Sequence, residues 1–479
     1  MSEVPQGPFV DGEFVSARVH EPRPMINPAS EEAWTSMSNA STELVEASVQ
    51  SASRAFERSW RGLAPGKRSR ILFEIANAIR KHAARLARLE SRNIGKPIAD
   101  ARDEIALGAT VFEYYAGAID KFCGETIPVG RGGLDFTVHE PLGVVAAITP
   151  WNFPFPIACW KVAPALAAGN CVVLKPATLS PLTALVLGQL AVEAGLPPGV
   201  LQVLPGEGGT VGAMLAHHPS IRKISFTGST EIGRRMMAAA AVDLKRISLE
   251  LGGKSPNIVF ADANLERAAY ESPMSVFANA GQDCCARSRV FVERSVFDDF
   301  VERFVSAAEA LRMGDPLDPQ TQIGPLVSSA QREAVLAYVE KAQSDGRKVL
   351  KMAQALPEKG FYVSPTIVVE PAISDPCWLE EIFGPVVCIR PFDEEGEMLA
   401  EVNRTSYGLS GSVWTQDIGR AIRISRRVEA GVLSINSHSS VHVQAPFGGF
   451  KQSGIGRDLG MHALHGYTET KNIYVGETE

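Results

Sequence analysis

The run Gly143-Val144-Val145-Ala146-Ala147-Ile148-Thr149-Pro150-Trp151-Asn152-Phe153-Pro154 decides how this chain folds. Val144 to Ile148 is a short apolar stretch, too brief for a helix and suited to a strand buried on both faces. A proline-flanked loop follows, and Pro154 opens an apolar segment to residue 168, with proline tolerated in the first helical turn. The same unit recurs downstream. Segments 171–174, 201–204, 223–226 and 247–249 read as strands, with helices at 182–194, 210–216 and 231–241 between them. Strands alternating with helices pair in parallel through right-handed crossovers, which predicts a doubly wound sheet. Ligands of such sheets bind outside the carboxyl ends of the strands, so the loops after Ile148, Leu174, Leu204, Phe226 and Leu249 should converge on one crevice.

Working outward, residues 1–43 are rich in Pro, Ser and Asn and read as extended edges and turns, while 43–60, 67–93 and 98–119 carry helical periodicity. A second alternating run begins at 257–260 and continues to about 436, so two α/β domains should face each other across a cleft. Within it, a helix expected over 265–280 stops at Gly281, a residue suited to a left-handed helix terminus. The turn Gly281-Gln282-Asp283-Cys284-Cys285-Ala286-Arg287-Ser288-Arg289 then leads into a buried strand at 290–292, pinning two adjacent thiols where one can be aimed into a cleft. Residues 124–140, with the turn Gly130-Arg131-Gly132-Gly133, read as a hairpin belonging to neither sheet. It is a candidate arm for contacting another subunit, and the alternating tail 467–475 is a candidate to pair with it.

Composition bounds the function. A chain of 479 residues calls for two or three domains, and 45% hydrophobic with 21% charged residues describes a soluble globular protein. A net charge of -7 argues against a nucleic-acid or membrane-surface partner. No run reaches bilayer-spanning length, and segment 1–20 has acidic residues and no apolar core, unlike a signal or transit peptide. Seven cysteines, odd in number and unevenly spaced, make no disulfide framework, so reduced thiols and a cytoplasmic setting are expected.

Several residues at predicted strand ends carry chemistry. Gly206, Gly208 and Gly228 permit close backbone approach of a phosphate or dinucleotide, and Phe226-Thr227-Gly228-Ser229 runs from a strand into a helix start, where free amides would point at the cleft. Lys175 can reach a ribose or phosphate. Asn152, held stiffly between prolines and aromatics, can donate to a developing oxyanion. Glu250 lies in the apolar stretch Leu249-Glu250-Leu251, where desolvation would raise its pKa toward the range of a general base. Either Cys284 or Cys285 is the candidate nucleophile. No residues read as metal ligands: His217-His218 is a vicinal pair, and His438 with His442 lacks the acid of a zinc-protease helix. Gly454-Ile455-Gly456 follows no predicted strand and is set aside as a dinucleotide motif.

These motifs, in this order, resemble the NAD(P)-dependent aldehyde dehydrogenase superfamily, in particular its aminoaldehyde and betaine-aldehyde branch. They are Pro150-Trp151-Asn152-Phe153-Pro154, Lys175-Pro176-Ala177, Phe226-Thr227-Gly228-Ser229, Leu249-Glu250-Leu251-Gly252-Gly253-Lys254, Gly281-Gln282-Asp283-Cys284, Glu381-Ile382-Phe383-Gly384-Pro385 and Pro446-Phe447-Gly448-Gly449-Phe450-Lys451. The resemblance implies two doubly wound parallel-sheet domains with a small β oligomerisation arm. A Rossmann-like cofactor domain would span 1–118 and 141–251, the catalytic domain 252–452, and the arm and tail 119–140 and 453–479, in a homodimer or homotetramer. It implies NAD or NADP as cofactor and an aldehyde as substrate. Cys284 becomes the nucleophile and Cys285 its neighbour, with Asn152 and the Cys284 amide as oxyanion donors and Glu250 as the base that hydrolyses a thioester.

By the same resemblance Lys175 meets the adenosine ribose, Gly228 and Ser229 the pyrophosphate, and Glu381 and Phe383 the nicotinamide ribose, with Ile148, Trp151 and Gly208 also lining the cofactor. Phe153, Trp160 and Phe447 match substrate-channel positions. Thr178 stands where NAD-preferring relatives often carry Glu, which removes a repulsion against a 2′-phosphate and suits NADP. Asp283 matches relatives acting on ω-aminoaldehydes such as γ-aminobutyraldehyde, with an ion pair to Arg287 or Arg289 as its other reading. A CoA-acylating dehydrogenase is the alternative enzyme, disfavoured by the acid at Glu250.

Overall fold

The parallel run seen in the sequence forms the centre of an eight-stranded sheet in the computed structural model, which describes residues 4–15, 22–130, 132–439 and 441–476. Residues 1–3 and 16–20 of the N-terminal segment read for targeting signals, and Arg131 of the predicted turn, lie outside the described residues. Across the sheet the strands run Gly454–Ile455, Arg246–Glu250, Ile221–Thr227, Val144–Ile148, Cys171–Lys175, Leu201–Val203, Phe9–Val10 and Glu13–Phe14. The five central strands are parallel and the three outer ones antiparallel. Chain order reverses between Val144–Ile148 and Ile221–Thr227, so a topological switch point opens beyond Ile148 and Thr227.

Every residue of helix Pro154–Ala167 is buried between this sheet and helix Ile98–Ala118, which is why that segment is apolar all round rather than amphipathic. A Cβ on Gly108 would come within 2.6 Å of the Phe155 ring, so glycine there sets the helix spacing.

The second sheet has seven strands in the order Lys348–Lys351, Thr366–Val369, Val386–Phe392, Arg289–Glu293, Pro256–Val259, Ser410–Trp414 and Val432–Ile435, all parallel except the first. Each sheet has its own apolar core. A third, three-stranded sheet joins Thr126–Ile127, Gly133–Pro141 and Thr468–Gly476, so hairpin and tail do pair, in nine-residue antiparallel register.

Three local expectations are corrected. The segment 265–280 is not one helix: Leu265–Glu271 stops before Pro273, whose ring removes a backbone donor, and Met274–Phe277 leads into a tight turn. The segment 67–93 divides at His82 into Pro65–Lys81 and Ala83–Ile94. Gly454–Ile455, grouped with the tail, is an edge strand of the first sheet, paired with Leu249 and Glu250. Glycine is required there, because a Cβ on Gly454 would lie 2.0 Å from the Leu249 carbonyl.

Candidate active site

Two glycines set the thiol turn. Gly281 has φ +73°, and a Cβ on it would lie 2.1 Å from the Gly384 carbonyl oxygen. One on Gly253 would lie 2.2 Å from the Cys284 carbonyl oxygen. Neither position accepts a side chain unless the backbone carrying the thiol moves. Asn279 and Ala280 also adopt left-handed conformations, at φ 50° and 54°, which costs roughly 1–2 kcal/mol each.

Hydrogen bonds hold that strained backbone. The Asn279 side-chain amide donates to the carbonyls of Asn152 (3.1 Å) and Gln282 (3.2 Å), while the Gln282 side chain donates to Asn279 O and accepts from Val327 N–H. Asn152 Nδ2 donates to Gln282 O at 2.9 Å, which brings the predicted oxyanion donor against the thiol turn. Beneath it, fully buried Lys96 donates to Asn152 O at 2.8 Å and pairs with Glu104 at 2.5 Å.

Cys284 and Cys285 are half-buried and line a cavity of about 800 Å³. Phe153, Trp160, Phe447 and Val441 form its apolar wall, with Trp160 and Phe447 packed edge-to-face at 5.3 Å. The Cys284 thiol is pushed well above its ordinary pKa by its hydrogen bond with Cys285, then by burial and by the nearby acids Asp283 and Glu381. Asp283 also lines the cavity, but neither expected ion pair forms. Its Oδ1 accepts from Cys285 N–H at 2.8 Å, while Arg287 donates to Cys285 O, Ser410 and Ser412, and Arg289 to the carbonyls of Lys254, Glu401 and Val402. Burial, against the pull of the Cys285 amide and Arg287, raises the Asp283 pKa.

Glu250 ends its strand in the same cavity, 4% exposed, with neither carboxylate oxygen bonded to a donor among the described residues. Burial raises its pKa well above the usual range; Asp458 adds to the shift, while Lys161 and Arg457 oppose it. The Lys161–Asp458 pair, 3.0 Å apart and wholly buried, escaped the sequence reading. Its one signal was an ionisable residue inside an otherwise apolar helix. Lys96 also escaped, since no local pattern marks it.

The cofactor candidates gather at the switch point. Ile148 pairs with Phe226 on one side and Lys175 on the other. Lys175 lies over Gly212, where an added Cβ would sit 3.6 Å from its chain, and burial lowers its pKa to about 8 against the pull of Glu207. Thr178 donates to Gly206 O at 3.1 Å and ties the two loops together. Gly208 opens the next helical turn at the surface. The Gly228 N–H is not free as expected: Glu250 O takes it at 3.1 Å, continuing the strand pairing by one residue. The open amides are those of the first turn of Thr230–Val242, capped by Ser229 Oγ. Glu381 accepts from Gly253 N–H at 2.9 Å and is pushed up to about 7 by burial; Phe383, at φ 57°, meets Trp151 edge-to-face at 5.2 Å. An anion-ready helix start, a buried lysine and a carboxylate along one crevice fit a dinucleotide.

Two thiols, a glutamate bonded to no donor among the described residues and a side-chain amide thus lie together beside a crevice suited to a dinucleotide. The comparisons identify the class. The aldehyde dehydrogenase family profile matches residues 14–473, and the chain belongs to that family. It is 42% identical over 469 residues to the betaine aldehyde dehydrogenase of Cereibacter sphaeroides strain ATCC 17023, covering 98% of this chain and 96% of that one. It superposes with TM-score 0.96 on the NAD+ complex of a Bacillus cereus aldehyde dehydrogenase, at 41% identity and covering 100% and 97% of the two chains. The score is also 0.96 for the P. syringae indole-3-acetaldehyde dehydrogenase bound to NAD+ and IAA, at 41% identity and covering 99% and 97%. The protein is an NAD(P)-dependent aldehyde dehydrogenase. Among the described residues, no helix is long and apolar enough to cross a membrane.

Proposed function

We propose that Cys284 attacks the aldehyde carbonyl and that Glu250 hydrolyses the resulting acyl-enzyme. The observation that carries this reading is Glu250, a buried carboxylate that accepts from no donor among the described residues, in the cavity that holds the thiols. The Cys284 thiolate forms a C–S bond, and the carbonyl oxygen takes the negative charge beside Asn152 Nδ2 and the Cys284 N–H. NAD(P)+, held by Lys175, Ser229 and Glu381 with Ile148, Trp151, Thr178, Gly208, Gly228 and Phe383 around it, supplies the hydride acceptor. The Cys284 adduct left after oxidation is a thioester. Glu250 takes a proton from water, hydroxide adds to the acyl carbon, the C–S bond breaks and the acid departs. Because its hydrogen bond with Cys285 and burial raise Cys284, and burial raises Glu250, their active forms gain population as pH rises, so turnover should climb through the alkaline range.

For substrate, the apolar wall of Phe153, Trp160, Val441 and Phe447 favours an aliphatic or aromatic aldehyde. Asp283, whose Oδ1 already accepts from the Cys285 N–H and whose pKa burial raises, is a weakened partner for an ω-ammonium. The second reading, an aminoaldehyde or betaine aldehyde, rests on the Trp160–Phe447 pair, whose faces suit a cation. Thr178, uncharged, suits NADP alongside NAD.

The three-stranded sheet leaves the cross-strand neighbours Leu134 and Val475 about half exposed, an apolar patch suited to pairing in a homodimer or homotetramer, and the free thiols suit a cytoplasmic setting.

The test is mass spectrometry of quenched reactions. Glu250→Gln should accumulate one acyl group on Cys284, and Cys284→Ala should lose turnover while still binding cofactor. Unaltered turnover in Cys284→Ala would refute the mechanism. A panel of aldehydes with both cofactors ranks the substrates; a marked preference for γ-aminobutyraldehyde that Asp283→Asn abolishes would restore the ammonium role.

A further inference from the structure

We propose that Asp283, Cys284 and Cys285 form a zinc-binding site whose occupation switches the enzyme off. One oxygen of Asp283 and the two sulfurs all lie within 4.8 Å of one another. In tetrahedral zinc, bond lengths near 2.3 Å to sulfur and 2.1 Å to oxygen put neighbouring donors about 3.6–3.8 Å apart. Closing the set needs only small side-chain rotations.

Adjacent residues rarely present three donors to one point, since in a strand successive side chains point to opposite faces. Here a turn brings them together. Asp283 Oδ1 accepts from Cys285 N–H and Asp283 O accepts from Ala286 N–H, an Asx-type turn that folds residue 283 back over residue 285. Gly253 and Gly281 clamp that turn from below and behind. The three donors all line the 800 Å³ cavity, so an ion can arrive by the substrate's route, and its fourth position would face that cavity.

Two thiols and one carboxylate select by softness. Zinc and its neighbours suit such a set, whereas magnesium and calcium want more oxygen ligands. On binding, each thiol releases its proton to solvent as a Zn–S bond forms, with no change of oxidation state. Once the Cys284 sulfur lone pair is committed to the metal, it cannot attack a carbonyl. Cys285, a bystander in turnover, thereby acquires a role as the second ligand.

The experiment titrates zinc chloride against dehydrogenase activity of the full-length enzyme. Zinc should inhibit reversibly, with activity restored by a chelator and magnesium without effect. In Cys285→Ala, with each variant normalised to its own zinc-free rate, the half-inhibitory zinc concentration should rise by at least about tenfold, the low end of what even an outer-shell partner contributes. Two readouts do not depend on activity. Cobalt should give a thiolate-to-metal charge-transfer band that weakens in Cys285→Ala, and zinc should protect both Cys284 and Cys285 from alkylation in the unmutated protein. Equal zinc sensitivity of Cys285→Ala and parent, no charge-transfer band, or protection of Cys284 alone would each overturn the proposal.

Discussion

Two glutamates reach the cavity from opposite sides, and their surroundings differ in one respect. Glu104 and Glu250 are both pushed up by burial, Glu104 to about 8 despite its lysine and Glu250 well above its usual range. Glu104, however, accepts from Lys96 Nζ through both oxygens, at 2.6 and 2.5 Å, and that lysine in turn holds Asn152 O. No described residue donates to the carboxylate of Glu250. Burial alone therefore does not mark a base. What suits Glu250 to the base role proposed for it is that its oxygens accept from no described donor, so a proton it takes can come from the reaction. Both oxygens of Glu104 are instead committed to a buried lysine, which in turn holds Asn152 O.

The sharpest way to break this contrast is to neutralise each acid. Glu250→Gln should lower kcat by about 10²- to 10⁴-fold, the usual worth of a positioned base, measured by steady-state turnover with thioester detected on Cys284. Asn152→Ala should lower kcat by about 10²- to 10³-fold, as loss of one oxyanion donor does, with cofactor binding followed by fluorescence unchanged. Glu104→Gln should act on stability first. Removing one partner of a buried ion pair typically costs about 3–5 kcal/mol, read from urea unfolding, and any loss of turnover should follow from a misplaced Asn152.

The smallest effect is a pH dependence. Glu381 titrates at about 7. Below that value it is protonated and a weaker acceptor for ribose hydroxyls, so the cofactor KM should fall as pH rises from 6 to 8, and this slope should vanish in Glu381→Gln. If the slope persists, another group controls cofactor binding.

Much of this was legible before any coordinates. Val144–Ile148 and its repeats are short and apolar with helices between them, so their strand character and parallel pairing followed from periodicity; the order of the strands and its switch point came only with the structure. Glu250 and Asn152 could be nominated because they interrupt or terminate apolar segments, and the two thiols because they sit in a turn between two such segments; the choice of Cys284 over Cys285 came from the family resemblance. The errors fell where tertiary contacts overrule local pattern. Helix 265–280 was broken by a proline whose neighbours still looked helical. Gly454–Ile455 carries no strand signal, because its place comes from a partner two hundred residues away. Asp283 was paired on paper with arginines whose donors go to carbonyls and serines.

The sequence by itself determined the two-sheet α/β plan and the family, and it nominated the candidate reacting side chains, since these depend on local apolar spacing and on short motifs. Only the tertiary structure decided how those side chains are used. It brought Lys96 under Asn152, left Glu250 without a donor, and folded Asp283 back over two thiols. Each depends on distances between residues far apart in the chain or on the path of a strained turn, and a hydrogen bond is made or lost over a few tenths of an ångström.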